Sequence, residues 1–275
     1  MKQNKLTLAI LDMYEGVPNQ GMRCIADILA QFSEDIEYQV FDVRQKADIP
    51  DLSFDMYLSS GGPGDPREGN GVWDKLWYNW LESVHQYNLN PENEQKKQVF
   101  MICHSFQMAC SHFGVGEISK RKSMSFGTFP THLTPEGTKE SIFERLENPF
   151  YIADFRNFQV TKANKEHLKA HNISVLAKEK SREHVPLERA IMAVRFSEDI
   201  IGTQFHPEAD GDGMLVWFQQ EEKKKQVISD HGIEKYEQMI ADLSDPMKIE
   251  YTQNTVLPTF FRQCIALLKD ESVFV

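Results

Sequence analysis

An α/β fold, three layers deep and built on a doubly wound, mostly parallel sheet, is the architecture this sequence predicts. Three observations carry that reading. Short apolar segments alternate with amphipathic ones through the first 113 residues. Two of those apolar segments end in residues suited to ligand contact, the Gly61-Gly62 pair and Cys103. Helical patterning then returns from Met214 onward as a C-terminal extension. Alternating strands and helices imply a parallel sheet covered on both faces, and such sheets bind ligands at the carboxyl ends of their strands.

Taken in order, LTLAILDM (6–13) reads as a buried strand and GMRCIADILAQF (21–32) as a helix, with apolar residues at Met22, Ile25, Ile28, Leu29 and Phe32. YQVFDV (38–43) is a second strand, and FDMYLSSGG (54–62) a third ending in glycines. WDKLWYNWLESVHQY (73–87) is a helix whose Trp73, Trp77 and Trp80 recur at core-packing spacing. KQVFMIC (97–103) is a fourth strand, with helix following to about Phe113. The middle is β-rich, at 123–134, 150–163, 174–180, 189–196 and 200–205, with little helix between. Helices are expected at 214–228, 234–243 and 255–270. No repeat or linker interrupts the chain, so residues 1–275 read as one domain, with a helical extension at about 212–250.

With 41% hydrophobic and 26% charged residues, the 275-residue chain has the make-up of an ordinary soluble globular protein. No apolar run approaches membrane-span length, and the apolar N-terminal stretch runs into Asp12 and Glu15, as a first strand does and a signal peptide does not. The net charge of -11 argues against a nucleic-acid surface, which needs clustered cations to neutralise phosphates. Its compact basic runs are Lys120-Arg121-Lys122 and Lys223-Lys224-Lys225, the second behind Glu221-Glu222 as on a solvated helix face. Cysteines at 24, 103, 110 and 264 show no metal-type pairing, and a chain of this size needs no disulfides. The expectation is a cytoplasmic protein with no metal and no cofactor.

Three short stretches carry chemistry. In VFMICHSFQ (99–107) a strand runs into a helix at Cys103. Taken alone, a free cysteine there suits a core site, since the type is among the most buried. A sharp strand-to-helix turn, however, projects a nucleophile from the sheet edge, and a helix N-terminus favours the thiolate. In GTQFHPEAD (202–210) a strand delivers His206, placed to handle the cysteine proton, and Glu208, placed to orient the imidazole. In SSGGPGDP (59–66) a glycine turn offers backbone N–H groups to an oxyanion.

Gly61-Gly62-Pro63 after a third strand, Cys103 with Gln107 after a fourth, and Phe205-His206-Pro207-Glu208 on a late strand resemble the class I glutamine amidotransferases. The resemblance spans about residues 5–210 plus the closing LPTFFRQ helix, and is nearest to the amidotransferase domain of GMP synthase and its stand-alone relatives. It implies a flavodoxin-like sheet and a Cys103–His206–Glu208 triad that hydrolyses a glutamine or γ-glutamyl side-chain amide through a thioester. It also implies oxyanion donors at Gly62 and His104, and substrate contacts from Gly61 and Gln107. Because the chain carries no acceptor domain, any use of the ammonia would need a separate acceptor subunit.

Two features depart from the family pattern. Its elbow carries glycines on either side of the cysteine, where this chain has Met101 and Ser105. Its Ser-His-x-Asp segment, which grips a free amino acid, corresponds here to Phe155-Arg156-Asn157-Phe158, so Arg156 becomes a candidate partner for a substrate carboxylate or phosphate. Asp65, Arg67 and Glu68 are candidates for the pocket mouth or a solvated loop. Asp210 and Asp212 suit a chain turn better than a metal, and Cys110 suits a buried helix face. Two other readings stay open. One is a homoserine O-acyltransferase-like enzyme of the same fold, which KSMSFGTFPTH loosely resembles; the other is a catalytically silent binding or regulatory subunit.

Overall fold

The computed structural model describes residues 5–17, 19–181 and 187–269. Its first strand shows how the layers arise. In β1 (Leu6–Asp12), Leu6, Leu8 and Ile10 enter one hydrophobic core while Ala9 and Leu11 enter another on the opposite face. This is the period-two alternation of a strand buried on both sides. The chain continues through α1 (Gln20–Ala30), β2 (Ile36–Asp42), α2 (Val43–Lys46), β3 (Met56–Ser59), α3 (Trp73–Leu89), β4 (Gln98–Ile102) and α4 (His104–His112). The β-rich middle holds β5 (Glu117–Leu133), β6 (Phe150–Thr161), α5 (Lys165–Ala170), β7 (Ser174–Glu179), β8 (Ile191–Ser197) and β9 (Ile200–Thr203). Then come α6 (Gly211–Phe218), α7 (Glu221–His231), α8 (Ile233–Leu243) and α9 (Ile249–Leu268).

Among the described residues nine strands form one sheet, ordered β2-β1-β3-β4-β9-β8-β7-β5-β6. The first five run parallel, and the remaining pairings are antiparallel. Ile25, Ile28 and Leu29 of α1 share one core with Val256, Leu257 and Phe261 of α9. Trp73, Trp77 and Trp80 of α3 and Phe106 of α4 lie in the core of the other face. The topology brings the carboxyl ends of β1, β3, β4 and β9 side by side.

The differences from the sequence expectation have local causes. β5 begins at Glu117, ahead of the expected 123, because 117–120 pair with β6 despite their charges; the register then slips between Lys120 and Ser125. Lys120, Arg121 and Lys122 border a cavity of about 450 Å³ whose lining includes neither Cys103, His206 nor Glu208. The single helix expected over 214–228 is two, α6 and α7. Phe218 and Val227 both bury in a third small core, and residues nine apart on one straight helix face opposite ways. The break at Gln219-Gln220 turns both inward.

That third core settles where the C-terminal extension goes. Phe218, Val227, Tyr236, Met239 and Leu243 pack against Phe126, Tyr151 and Phe155, on the β5–β6 hairpin. Buried Asp242 of α8 accepts from Thr128 Oγ1 and Lys248 Nζ, each at 2.7 Å, and locks the attachment. Asp270, the expected end of the last helix, lies outside the described residues. Among those residues no helix is long and apolar enough to cross a membrane.

Candidate active site

Cys103 sits between β4 and α4 with φ 47 and ψ -95, a backbone conformation rarely adopted by a residue with a side chain. Such strain costs about 1–3 kcal/mol and persists only where its surroundings enforce it. Here the enforcement is explicit. The Cys103 N–H donates to Thr203 O of β9 at 2.8 Å, and its carbonyl accepts the Gln107 N–H at 3.0 Å, opening α4. Ser105, where the family has glycine, turns its Oγ onto Ser60 O at 2.6 Å and Ser59 Oγ at 2.7 Å; Ser59 in turn accepts from Trp77 Nε1 at 3.0 Å. The hydroxyl thus ties the elbow to the glycine turn. Met101 is fully buried, and the close approach of β9 there is made by Gly202. A Cβ on Gly202 would lie 2.8 Å from Met101 O and 3.1 Å from Phe106 Cδ2.

His206 follows β9, its N–H donating to Ala153 O of β6 at 3.2 Å. Its Nδ1 meets Glu208 Oε1 at 2.7 Å, with the Glu208 side chain 1% exposed. Burial alone would lower the imidazole's pKa. The Glu208 carboxylate and the Cys103 sulfur outweigh it and hold the value well above that of an ordinary histidine. The structure therefore brings Cys103, His206 and Glu208 together at the carboxyl ends of β4 and β9.

Gly61 and Gly62 follow β3 on the other side of the cysteine. Gly61 faces His206: a Cβ there would lie 2.7 Å from His206 Cε1 and 3.2 Å from the Tyr14 hydroxyl. A Cβ on Gly62 would overlap the Met13 carbonyl. Gly61→Ala is accordingly expected to push the imidazole off Glu208 and lower turnover at least about tenfold. Thermal unfolding should change little, which separates the effect from misfolding. His104 is buried, with its ring beside the Gly62 backbone. The two residues expected to supply oxyanion donors are thus in contact. Burial, reinforced by Arg44, pushes the His104 pKa down to about 3. Its imidazole is therefore neutral at working pH. Arg44 braces the glycine turn, donating to Pro63 O at 2.6 Å.

Gln107 and Arg156, the other residues expected at the substrate, are both buried. Gln107 is buried, and its amide donates to Gln204 Oε1 at 2.8 Å. Arg156 is enclosed, with its side chain 2% exposed. Its Nε donates to both Asp154 oxygens at 2.9 Å, and one terminal nitrogen to Phe158 O at 3.1 Å. Ser125 Oγ also donates to Asp154, at 2.6 Å. The guanidinium is committed inside the protein and does not present itself to a substrate anion. Removing one partner of such a pair strands a buried charge, so Asp154→Ala is expected to cost about 3–5 kcal/mol in denaturant unfolding.

Sequence reasoning missed Tyr14 and Gln204. Tyr14 follows β1, and its hydroxyl occupies space left by Gly21 and Gly61 beside the His206–Glu208 pair. Burial, with the Glu208 and Cys103 charges, holds its phenol well above the usual value, hence neutral. The Gly21 position, where a Cβ would overlap that hydroxyl, is a signal visible only once α1 and β1 are placed. Asp65 pairs with Arg67 at the exposed edge of the turn, and Arg67 lies over the Phe158 ring. Asp210 is the N-cap of α6, accepting from Gly213 N at 2.9 Å, and pairs with Arg23 at 2.8 Å. Among the described residues no group of three or more His, Cys, Asp or Glu side chains is arranged to hold a metal. Cys110 is fully buried.

The fold and the site together define an α/β protein with a cysteine elbow after β4, flanked by a glycine turn after β3 and a histidine–carboxylate pair after β9. Residues 10–214 match the family model of the class-I glutamine amidotransferases, and the chain belongs to that family. Comparison with curated protein sequences gives no match. Among solved structures, the chain is similar to a glutamine amidotransferase from Thermotoga maritima, with 12% identity, 96% of this chain and 99% of that one covered, and a TM-score of 0.69. A glutamine amidotransferase from Methylobacillus flagellatus aligns at 13% identity over 96% of each chain, with a TM-score of 0.64. The glutaminase domain of Trypanosoma brucei CTPS, with bound acivicin, aligns at 12% identity over 98% of this chain and 95% of that one, with a TM-score of 0.58. At these identities the solved structures show the shared fold.

Proposed function

We propose that this protein hydrolyses the side-chain amide of glutamine or a γ-glutamyl compound, with Cys103 as nucleophile, His206 as acid and base, and Glu208 as orienter. The observation that carries the reading is the 2.7 Å His206–Glu208 contact set against a strained Cys103 at the start of α4. The Cys103 thiolate attacks the amide carbonyl, forming a C–S bond and an oxyanion beside the Gly62 and His104 backbone amides. Protonated His206 gives its proton to the departing nitrogen as the C–N bond breaks, releasing ammonia and leaving a thioester. Neutral His206 then takes a proton from water, whose oxygen attacks the thioester. Glutamate leaves, and the cysteine is restored.

Gly61 admits the substrate close to the main chain, with Gln107 as a further contact. The released ammonia passes either to solvent or to a separate acceptor subunit, in a cytoplasmic setting. Acivicin, bound in the Trypanosoma brucei structure, provides the test. Saturating acivicin is expected to protect Cys103 from iodoacetamide, read by mass spectrometry, and to block ammonia release from a panel of γ-glutamyl amides. Unchanged alkylation with no release from any amide would reject the reading, and acyl-CoA-dependent acyl transfer would replace it with the acyltransferase alternative.

A further inference from the structure

We infer that Gln204 is a positioning residue for the nucleophile, held in its working orientation by Gln107. The inference rests on the thiolate role given to Cys103 above. Gln204 Nε2 donates to Cys103 Sγ at 3.6 Å, and Gln204 Oε1 accepts from Gln107 Nε2 at 2.8 Å. All three residues are buried: Gln204 is fully enclosed, Gln107 is 3% exposed and Cys103 is 6% exposed. Backbone bonds hold both ends of the relay. Gln204 N donates to Met192 O at 2.8 Å, and Gln107 N donates to Cys103 O at 3.0 Å.

An amide has one donor end and one acceptor end, and only the donor end favours a thiolate. In a buried network the wrong orientation would set the Gln204 oxygen against a sulfur carrying negative charge. Gln107 removes that option by donating to the Gln204 oxygen, which leaves the NH₂ group facing Cys103. A hydrogen bond to a charged acceptor is stronger than one between neutral groups. The relay therefore gives the sulfur a donor and fixes where it sits. It also gives Gln107 a function one step removed from the reacting atoms.

The test is the pH profile of Cys103 alkylation by iodoacetamide in the full-length protein, which needs neither substrate nor turnover. Gln204→Leu keeps the volume and deletes the donor. The alkylation profile is expected to move to higher pH, with alkylation on its acid side slowed about tenfold. Gln107→Met should shift the profile the same way by less, and the double variant should match Gln204→Leu alone, because both act through one bond. Gln107→Glu carries the argument independently if Gln204→Leu fails to fold. Its carboxylate attracts the Gln204 NH₂ group and turns the oxygen to the sulfur, so its shift should exceed that of Gln107→Met. A wild-type profile in Gln204→Leu or Gln107→Glu, or effects of the two sites that multiply, overturns the relay. Shifted profiles in a protein that turns over no amide keep the relay and reject the amidohydrolase reading. Turnover with unshifted profiles does the reverse.

Discussion

Cys103→Ala is expected to take ammonia release from L-glutamine to background, a loss of at least about 10⁴-fold, by the magnitude typical of deleting a catalytic nucleophile. In the proposed mechanism every covalent step passes through that sulfur, and the thiols of Cys110 and Cys24 do not replace it. Cys110 is fully buried, and Cys24 is buried with its thiol pushed up to about 11. The fold should survive. The Cys103 backbone is held by Thr203 and Gln107 through main-chain bonds that alanine keeps. The check is turnover alongside thermal unfolding, with unfolding close to wild type while turnover vanishes.

His206→Asn is expected to be nearly as damaging, about 10³-fold or more, and Glu208→Gln about 10²–10³-fold, since an orienter contributes less than the base it holds. The two variants differ in their pH behaviour. In the wild type, Glu208 is one of the groups holding the His206 pKa above its unfolded value. A raised folded value stabilises the protein fully below the ordinary histidine value, about 6.5, and that stability is lost as pH rises through the folded value. The stability gap between wild type and Glu208→Gln should therefore be widest in mild acid and narrow toward alkaline pH. Denaturant unfolding at several pH values measures it. A gap that does not change with pH would mean that Glu208 acts by packing alone.

How much of this the sequence reveals depends on how local each feature is. The alternation in β1, the helical spacing of the α3 tryptophans and the glycine turn are readable because each depends on residues close in the chain. The same holds for the elbow and for His206-Pro207-Glu208, whose order and strand-end placement point to one site. What depends on tertiary pairing is not readable. Lys120 and its charged neighbours enter β5 because β6 lies beside them. Arg156 reads as a surface or substrate arginine until Asp154, two residues earlier on the same face of β6, is seen to enclose it in an ion pair. Gln204 reads as one polar residue in a strand end, and its value arises only when β9 pairs with β4 and sets its amide against Cys103.

Ser105 and Met101 show the same limit from the other side. Read against the family's glycines, each weakens the elbow; in the fold, Ser105 binds the elbow to Ser59 and Ser60. Beside Met101, the close approach is made by Gly202 on the adjacent strand. A requirement for space that one position fails to meet can be met by its neighbour across a sheet.

The measurement that tests the central claim most directly is ammonia release from L-glutamine and γ-glutamyl amides by the purified full-length protein, with Cys103→Ala run in parallel. A cysteine-nucleophile amidohydrolase releases ammonia in step with the matching acid, and the release disappears in Cys103→Ala. Equal release from both proteins, or none from any amide by well-folded wild type, would contradict it.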